Sequence, residues 1–345
     1  MTEREKFAAD ELAMVLSHYD LGVIEAVKEF AHGSRKSPKL LIRTKRGAYL
    51  LKRRAKGRDD PARVDFGHGL QLYLAQKHFP LPHLIRTRRG GHTVVRLAGA
   101  IYELFEYLPG GPYDNSLPAT KDAGEILALF HHLLRDYTPP AQPPVGSYHQ
   151  SRQLVERLAR VPAALDRTAP HDGAEPWMID ELLDSLRTVY ENAASRVDRL
   201  GFATWPRQIA HGDWHPGNML FHHQRVAAVI DYDSTRLEPR VGDLANGTLQ
   251  FSILGGGPDP SAWPAEVDQG RFQHFLEGYA ALEKVDPAEL RAVPWLMIEA
   301  LVTESVFHIA ATGSFAHMDG FAFLKMVRRK SDWIAAQAEE LTPAR

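Results

Sequence analysis

The sequence predicts an α+β protein in two parts: a small antiparallel sheet carrying one long helix, then a larger, mainly helical region. Three observations lead there. Two strand-like runs, Leu40–Thr44 and Ala48–Lys52, flank Lys45-Arg46-Gly47, a hairpin signal with glycine at the turn. A cluster of turn formers, Pro109-Gly110-Gly111-Pro112, then interrupts the chain. Beyond it the apolar spacing is mainly helical.

In order, Ala9–His18 places Leu12, Val15 and Leu16 on one helical face. The apolar residues of Val23–Phe30 fit helical spacing better than alternation. The hairpin follows. Pro61 then opens a helix containing Val64, Phe66, Leu70 and Leu74, which ends near Phe79-Pro80-Leu81-Pro82. Two more strands are expected near Thr93–Arg96 and Ile101–Tyr107. The turn cluster at 109–112 is the natural boundary, giving parts 1–108 and 109–345. After it come an amphipathic helix over Lys121–Tyr137, a proline-rich loop over Pro139–Pro144, a long helix over Ile179–Leu200, and several helices between Val267 and Glu340.

Composition narrows the function classes. A chain of 345 residues with 24% charged residues has room for ample core. Its formal net charge of -2 gives no global basic field for nucleic acid. The run Lys52, Arg53, Arg54, Lys56, Arg58 is local, and as a bare charge run it reads as a solvated face. Without cysteine there is no disulfide, thiolate chemistry or cysteine metal site. The charged N-terminus lacks an apolar leader, and no apolar run is expected to span a bilayer. The default expectation is a soluble, cytoplasmic protein without a membrane partner; nothing in the sequence fixes its oligomeric state.

One segment carries chemistry: His211-Gly212-Asp213-Trp214-His215-Pro216-Gly217-Asn218-Met219-Leu220-Phe221, followed by Val226-Ala227-Ala228-Val229-Ile230-Asp231-Tyr232-Asp233. The two apolar runs read as a hairpin turning at His222–Arg225, with its symmetry centre between residues 224 and 225. Asn218 and Asp231 then oppose one another, at the roughly 4.5–5.5 Å Cα spacing of directly paired residues. An amide oxygen beside a carboxylate makes a hard-oxygen site for Mg2+. Asp213, five residues before Asn218, suits a base that orients a substrate hydroxyl and takes its proton. His-x-Asp-x-x-x-x-Asn followed by a metal-binding Asp after an apolar strand is the kinase catalytic pattern.

This segment resembles the Brenner-type motif of the aminoglycoside phosphotransferase family, whose superfamily includes choline kinases and type II homoserine kinases. Gly47-Ala48-Tyr49-Leu50-Leu51-Lys52 resembles the strand bearing that family's phosphate-binding lysine. Leu104-Phe105-Glu106-Tyr107-Leu108-Pro109-Gly110 resembles its interlobe hinge, and Asp243-Leu244-Ala245 its structural Asp-Leu-Ala. The resemblance covers about residues 20–250. It implies a two-lobed protein-kinase-like fold and ATP with Mg2+. It also implies a strand at Val23–Phe30, against the periodicity. By position, Lys52 would contact the α- and β-phosphates, Ser34 of a glycine-poor loop would assist, and the backbone at Glu106 and Leu108 would bind adenine. Asp213 would be the base, Asn218 and Asp231 the Mg2+ ligands, and Asp233 a second metal or substrate ligand. His211 would brace the loop, and Asp243 would anchor it.

The chain departs from the kinase pattern at two places, the loop Gly33-Ser34-Arg35-Lys36-Ser37 with its single glycine and position 68. His68 stands where a helix glutamate would pair with the phosphate lysine, with Asp65 or Gln71 as substitutes on adjacent turns. No room is left for a peptide-docking activation segment, which favours a small hydroxylated acceptor: an amino alcohol, amino acid or sugar. His215, Glu304 and His308 are candidate acceptor contacts, along with Glu299; Tyr148 and His149 are weaker ones. Two other readings are a nucleotide-binding pseudokinase, motivated by His68 and the glycine-poor loop, and a metal hydrolase, motivated by His211-x-Asp213-x-His215.

Overall fold

The computed structural model describes residues 5–31, 36–168 and 175–342. In chain order the elements are α1 (Ala9–Leu16), β1 (Ile24–Glu29), β2 (Lys39–Thr44), β3 (Gly47–Arg53), α2 (Pro61–Gln76), β4 (Val95–Leu97), β5 (Ala100–Glu106), α3 (Leu117–Leu134), α4 (Gln153–Leu165), α5 (Pro176–Leu200), β6 (Arg207–Ala210), β7 (Met219–His222), β8 (Arg225–Val229), β9 (Arg236–Pro239), α6 (Val241–Ser252), α7 (Gln269–Ala280), α8 (Pro287–Thr312) and α9 (Gly320–Leu341). They form two compact units. The first is Met1–Tyr113 with Asp136–Pro144 and Gly217–Thr235; the second is Asp114–Arg135, Val145–Pro216 and Arg236–Arg345.

The first unit is built on an antiparallel sheet of order β1-β2-β3-β5-β4. Ile42, Leu51 and Leu104, from three neighbouring strands, are buried in one cluster with Val15 of α1 and Tyr19. Ala98 and Gly99 take positive φ in the tight turn between β4 and β5. The Asp60 side chain caps α2 by accepting the Arg63 N–H, with Pro61 in the first turn. β1 is a strand, as the family resemblance implied and the apolar spacing did not. Its residues lie at a sheet edge, where Ile24 and Val27 remain 39% and 40% exposed. Spacing reports a helix only when the apolar residues face a core, and these do not.

The β7–β8 hairpin belongs to this first unit. Its Val229 N–H donates to Pro80 O (2.9 Å), and Phe221 and Gly111 exchange two backbone hydrogen bonds (2.8 and 2.9 Å). Its register differs from the expected one. His222 pairs with Arg225 and Phe221 with Val226, then a bulge shifts the ladder so that Leu220 pairs with Ala228 and Met219 with Val229. Asn218 O therefore accepts from Ile230 N–H at 2.9 Å, and Asp231 falls one residue past the opposed position. Asp231 leaves the strand with φ of +64°, a left-handed conformation that redirects the chain at the open end. A single bulge residue cannot be read from alternation, because it breaks the period that alternation assumes.

The second unit is mainly helical. Gly124 of α3 and Gly278 of α7 let these helices meet backbone to backbone: a Cβ at Gly124 would lie 2.2 Å from Phe275 O, and one at Gly278 2.0 Å from Lys121 O. α8 runs through the core against α4, α5, α6 and α9. Contrary to the sequence expectation, this helix is long and apolar enough to cross a bilayer, with mean hydropathy 1.3, yet 78% of that stretch is buried inside the molecule. It reads as a core helix.

Candidate active site

The chemistry-bearing residues fall into two groups, one in each unit. In the first, Lys52 on β3 lies directly opposite Glu103 on β5 in the antiparallel register. Directly opposed side chains project from the same face of a sheet. Lys52 Nζ is 3.8 Å from Glu103 Oε2 and 3.6 Å from Asp233 Oδ2. Arg54 donates to both carboxylates, from Nε to Glu103 Oε1 at 2.7 Å and from Nη2 to Asp233 Oδ1 at 2.7 Å. His68 Nε2 is 2.7 Å from Glu103 Oε1, and its Nδ1 is 2.9 Å from Thr93 Oγ1. Burial alone would raise the Glu103 carboxyl. The hydrogen bond from His68 and the charges of Lys52 and Arg54 outweigh that and hold it at about 2.

Neither substitute expected on the helix serves Lys52. Asp65 is exposed and faces Arg96 at 3.4 Å, while the Gln71 amide donates to Gly67 O within α2. Sequence reading missed Glu103 and Arg54. A charged residue between the buried Tyr102 and Leu104 was the available signal. Its pairing with a strand some fifty residues away was not legible.

At the end of β5, Glu106 N–H donates to His83 O (2.8 Å) and Tyr107 N–H to Ala48 O (2.9 Å). Leu108 lies beyond the ladder, and its backbone has no hydrogen bond among the described residues. An open N–H and C=O just past a strand suit the edge of a purine base. Ser34 lies outside the described residues. Its neighbour Ser37 is engaged, donating its hydroxyl to Arg53 O at 2.7 Å.

The donors for a divalent cation fit in kind. Asn218 and Asp231 sit at the same open end of the β7–β8 hairpin and offer an amide oxygen and a carboxylate, the hard ligands Mg2+ takes alongside phosphate oxygens. No group of three or more His, Cys, Asp or Glu is gathered to hold a metal ion among the described residues. The His211-x-Asp213-x-His215 arrangement is therefore not a ligand cluster. His211 is fully buried and packs edge-on against Trp214 (5.3 Å) and Phe130 (6.0 Å).

In the second unit the loop carrying Asp213 is held by its backbone. Asp243, at the start of α6 and almost fully buried, accepts the N–H of His211 at 2.5 Å and of Gly212 at 2.8 Å. His131 of α3 contacts the same carboxylate at 3.2 Å and is itself fixed by the Tyr279 hydroxyl at 2.8 Å. Gly212 adopts φ of +77°, which favours glycine, and its carbonyl accepts from Arg236 Nη1 at 3.1 Å. The Arg236 guanidinium stacks on the Tyr148 ring at 4.9 Å. From this pinned loop Asp213 projects a side chain that is 35% exposed, with His215 Nε2 at 3.6 Å.

Glu304 of α8 lies within electrostatic reach of Asp213. Its Oε2 accepts from the Gln250 amide at 2.9 Å, and the Tyr148 hydroxyl lies against the same carboxyl. Burial pushes its carboxyl up to about 7 and the Asp213 charge adds to this, while Tyr148, His215 and Arg236 offset only part. His308, one turn on, is exposed, and its ring lies tilted against Phe315 with centroids 5.1 Å apart. Glu299 is closed off: it is fully buried, with His149 Nδ1 at 3.0 Å and the Gln150 N–H at 3.1 Å.

Comparison with known proteins identifies the family. The sequence model of the phosphotransferase enzyme family matches residues 26–292, well over half of the chain. A homoserine kinase of Rhodopseudomonas palustris is 27% identical over 300 residues, covering 84% of this chain and 80% of the relative. One from a Caulobacter species is 28% identical over 318 residues, covering 88% and 87%. Among solved structures, a microcompartment-associated aminopropanol kinase superposes with TM-score 0.70 at 14% identity, covering 98% of this chain and 99% of that one. The amicoumacin kinase hAmiN, in complex with AMP-PNP, Ca2+ and Ami, gives TM-score 0.65 at 16% identity, covering 97% and 94%. At such identities the structures speak for the fold alone, and that fold is the protein-kinase-like one. The chain belongs to the phosphotransferase enzyme family and is a small-molecule kinase.

Proposed function

We propose that this protein transfers the γ-phosphoryl group of ATP, with Mg2+, to a hydroxyl of a small molecule that also bears an amino group, an amino alcohol or an amino acid. The observation that carries the reading is the loop at Asp213. Its backbone is clamped by Asp243 while its carboxylate stays accessible, which is what a base that must meet an external hydroxyl requires.

Asp213 orients the acceptor hydroxyl and takes its proton. The freed oxygen forms a bond to the γ-phosphorus as the bond from that phosphorus to the bridging oxygen breaks, and ADP leaves with that oxygen. Lys52 binds the α- and β-phosphates, and the backbone at Glu106 and Leu108 takes the adenine edge. Asn218 and Asp231 would hold Mg2+, which supplies charge neutralisation on the phosphates when bound. Nucleotide binding is thus assigned mainly to residues 1–108, and catalysis and acceptor binding to 109–345. Such transfer is driven by positioning and electrostatics rather than by covalent chemistry on the protein.

The amino group is assigned from Glu304. A carboxyl pushed towards neutrality by burial and by the neighbouring Asp213 gains most from an arriving cation, because an ammonium group restores its ionised form. The names of the relatives, homoserine kinase and aminopropanol kinase, agree with such an acceptor. The pseudokinase alternative rested on the missing helix carboxylate and on the glycine-poor loop; a strand carboxylate, Glu103, near Lys52 weakens the first of these motives.

The test is ADP release from ATP across a panel of amino alcohols, hydroxy amino acids and amine-free sugars, with the phosphorylated product identified by mass spectrometry. Turnover of an amine-bearing alcohol, with the phosphoryl group on its hydroxyl oxygen, is expected. Turnover confined to amine-free alcohols would overturn the amine assignment. ATP binding with no transfer to any hydroxyl would favour the pseudokinase.

A further inference from the structure

In protein kinases the lysine that binds the α- and β-phosphates is positioned by a glutamate from the neighbouring helix. Here the corresponding helix, α2, has Asp65 as its only acid, and that residue is exposed and directed at Arg96. We propose that Glu103, on strand β5, is the positioning residue for Lys52, with His68 and Arg54 fixing its carboxylate. The inference rests on the reading of Lys52 as a phosphate ligand.

The geometry divides the work between the two carboxylate oxygens. Oε1 of Glu103 is fully engaged, taking His68 Nε2 and Arg54 Nε at 2.7 Å each. Oε2 has no hydrogen-bond partner among the described residues and faces the Lys52 ammonium at 3.8 Å. His68 is set in turn by Thr93. A neutral imidazole donating from Nε2 to the carboxylate has its Nδ1 free to accept the threonine hydroxyl, an arrangement that fixes the ring.

The anions on the two sides of the lysine differ in character. Glu103 is fully buried and held by strand register, so it cannot move away when a phosphate arrives. Asp233 is 19% exposed on its side chain and sits at 3.6 Å from the same ammonium. The buried partner sets where Lys52 points. The partly exposed Asp233 shares the Arg54 guanidinium with Glu103. Both members of the pair lie in one hydrogen-bonded sheet, and α2 contributes to it through His68 rather than through an acid of its own.

The experiment compares Lys52→Ala, Glu103→Gln, Glu103→Asp and the double variant His68→Glu with Glu103→Gln, which returns a carboxylate to the helix. Steady-state KM for MgATP, KM for the acceptor and kcat are measured for each, with thermal melts alongside. Glu103→Gln is expected to raise the MgATP KM by about tenfold or more, the scale of a charge-assisted contact, while the acceptor KM stays put. Glu103→Asp keeps the charge but withdraws it by one methylene. It is expected to show the same split at smaller size, and it decides the matter if Glu103→Gln does not fold. The double variant should recover most of the lost nucleotide affinity.

Wild-type MgATP KM in both Glu103 variants, with Lys52→Ala strongly impaired, would overturn the positioning role alone. So would equal losses for MgATP and acceptor, which a purely structural residue would give. Unchanged nucleotide affinity in Lys52→Ala would instead sink the reading of Lys52 and this inference with it.

Discussion

The two units treat their buried carboxyl groups in opposite ways. In the first unit Glu103 is surrounded by Lys52, Arg54 and His68 and is held at about 2, ionised at every physiological pH. In the second unit Glu304 lies near the Asp213 carboxylate and is pushed up to about 7. Both groups lose solvation on burial, so burial alone cannot explain the difference. It lies in the fixed cations, which the first group has in contact and the second has only at a distance. A site whose buried acid is matched by more than one cation suits an anionic ligand such as a polyphosphate. A site whose acid lacks a cation suits a ligand that brings one.

The sharpest way to break this contrast is at the hairpin end of the first unit. Asp231→Ala removes a carboxylate assigned to the metal, and magnesium-dependent nucleotide binding should be lost altogether; titration of the variant with nucleotide in the presence and absence of Mg2+ reads it directly. Equal affinity in wild type and variant would remove Asp231 from the metal site. On the second unit, Glu304→Gln keeps shape and the Gln250 contact but removes the charge. The acceptor KM should rise by about tenfold, the scale of one charge-assisted contact, with the MgATP KM unchanged. An unchanged acceptor KM would mean that this carboxyl does not meet the substrate.

A smaller effect concerns stability. The folded protein holds the Glu304 proton more tightly than an unfolded chain, whose glutamate titrates near 4.5. The stabilisation from this group is therefore complete below about 4.5 and is lost as pH rises through about 7. The melting temperature of wild type should fall relative to Glu304→Gln across that window, with a slope of at most about 1.4 kcal/mol per pH unit for one proton. Parallel curves for the two proteins would show that Glu304 titrates normally.

Much of the fold was legible because its signals are local. The β2–β3 hairpin declares itself through Gly47, and α2 through Asp60 and Pro61. The candidate catalytic segment was legible because Asp213, Asn218 and Asp231 lie within one short stretch. Three features were not. β1 is an exposed edge strand, so its apolar residues carry no core-facing period. The register at Asn218 depends on one bulge residue. Glu103 acquires its role only through long-range pairing of β3 with β5, which no local pattern encodes. Asp243 was placed by family resemblance, and the structure supplies the physical reason: its carboxylate accepts the two backbone N–H groups that hold the Asp213 loop.

The most direct test of the account is phosphoryl transfer by Asp213→Ala. Nucleotide binding should stay within a few-fold of wild type, because Lys52, Asn218 and Asp231 are untouched. Transfer to the acceptor hydroxyl should fall by about 10²–10⁴, the range for loss of a general base. Wild-type turnover in that variant, with the same phosphorylated product, would contradict the central claim.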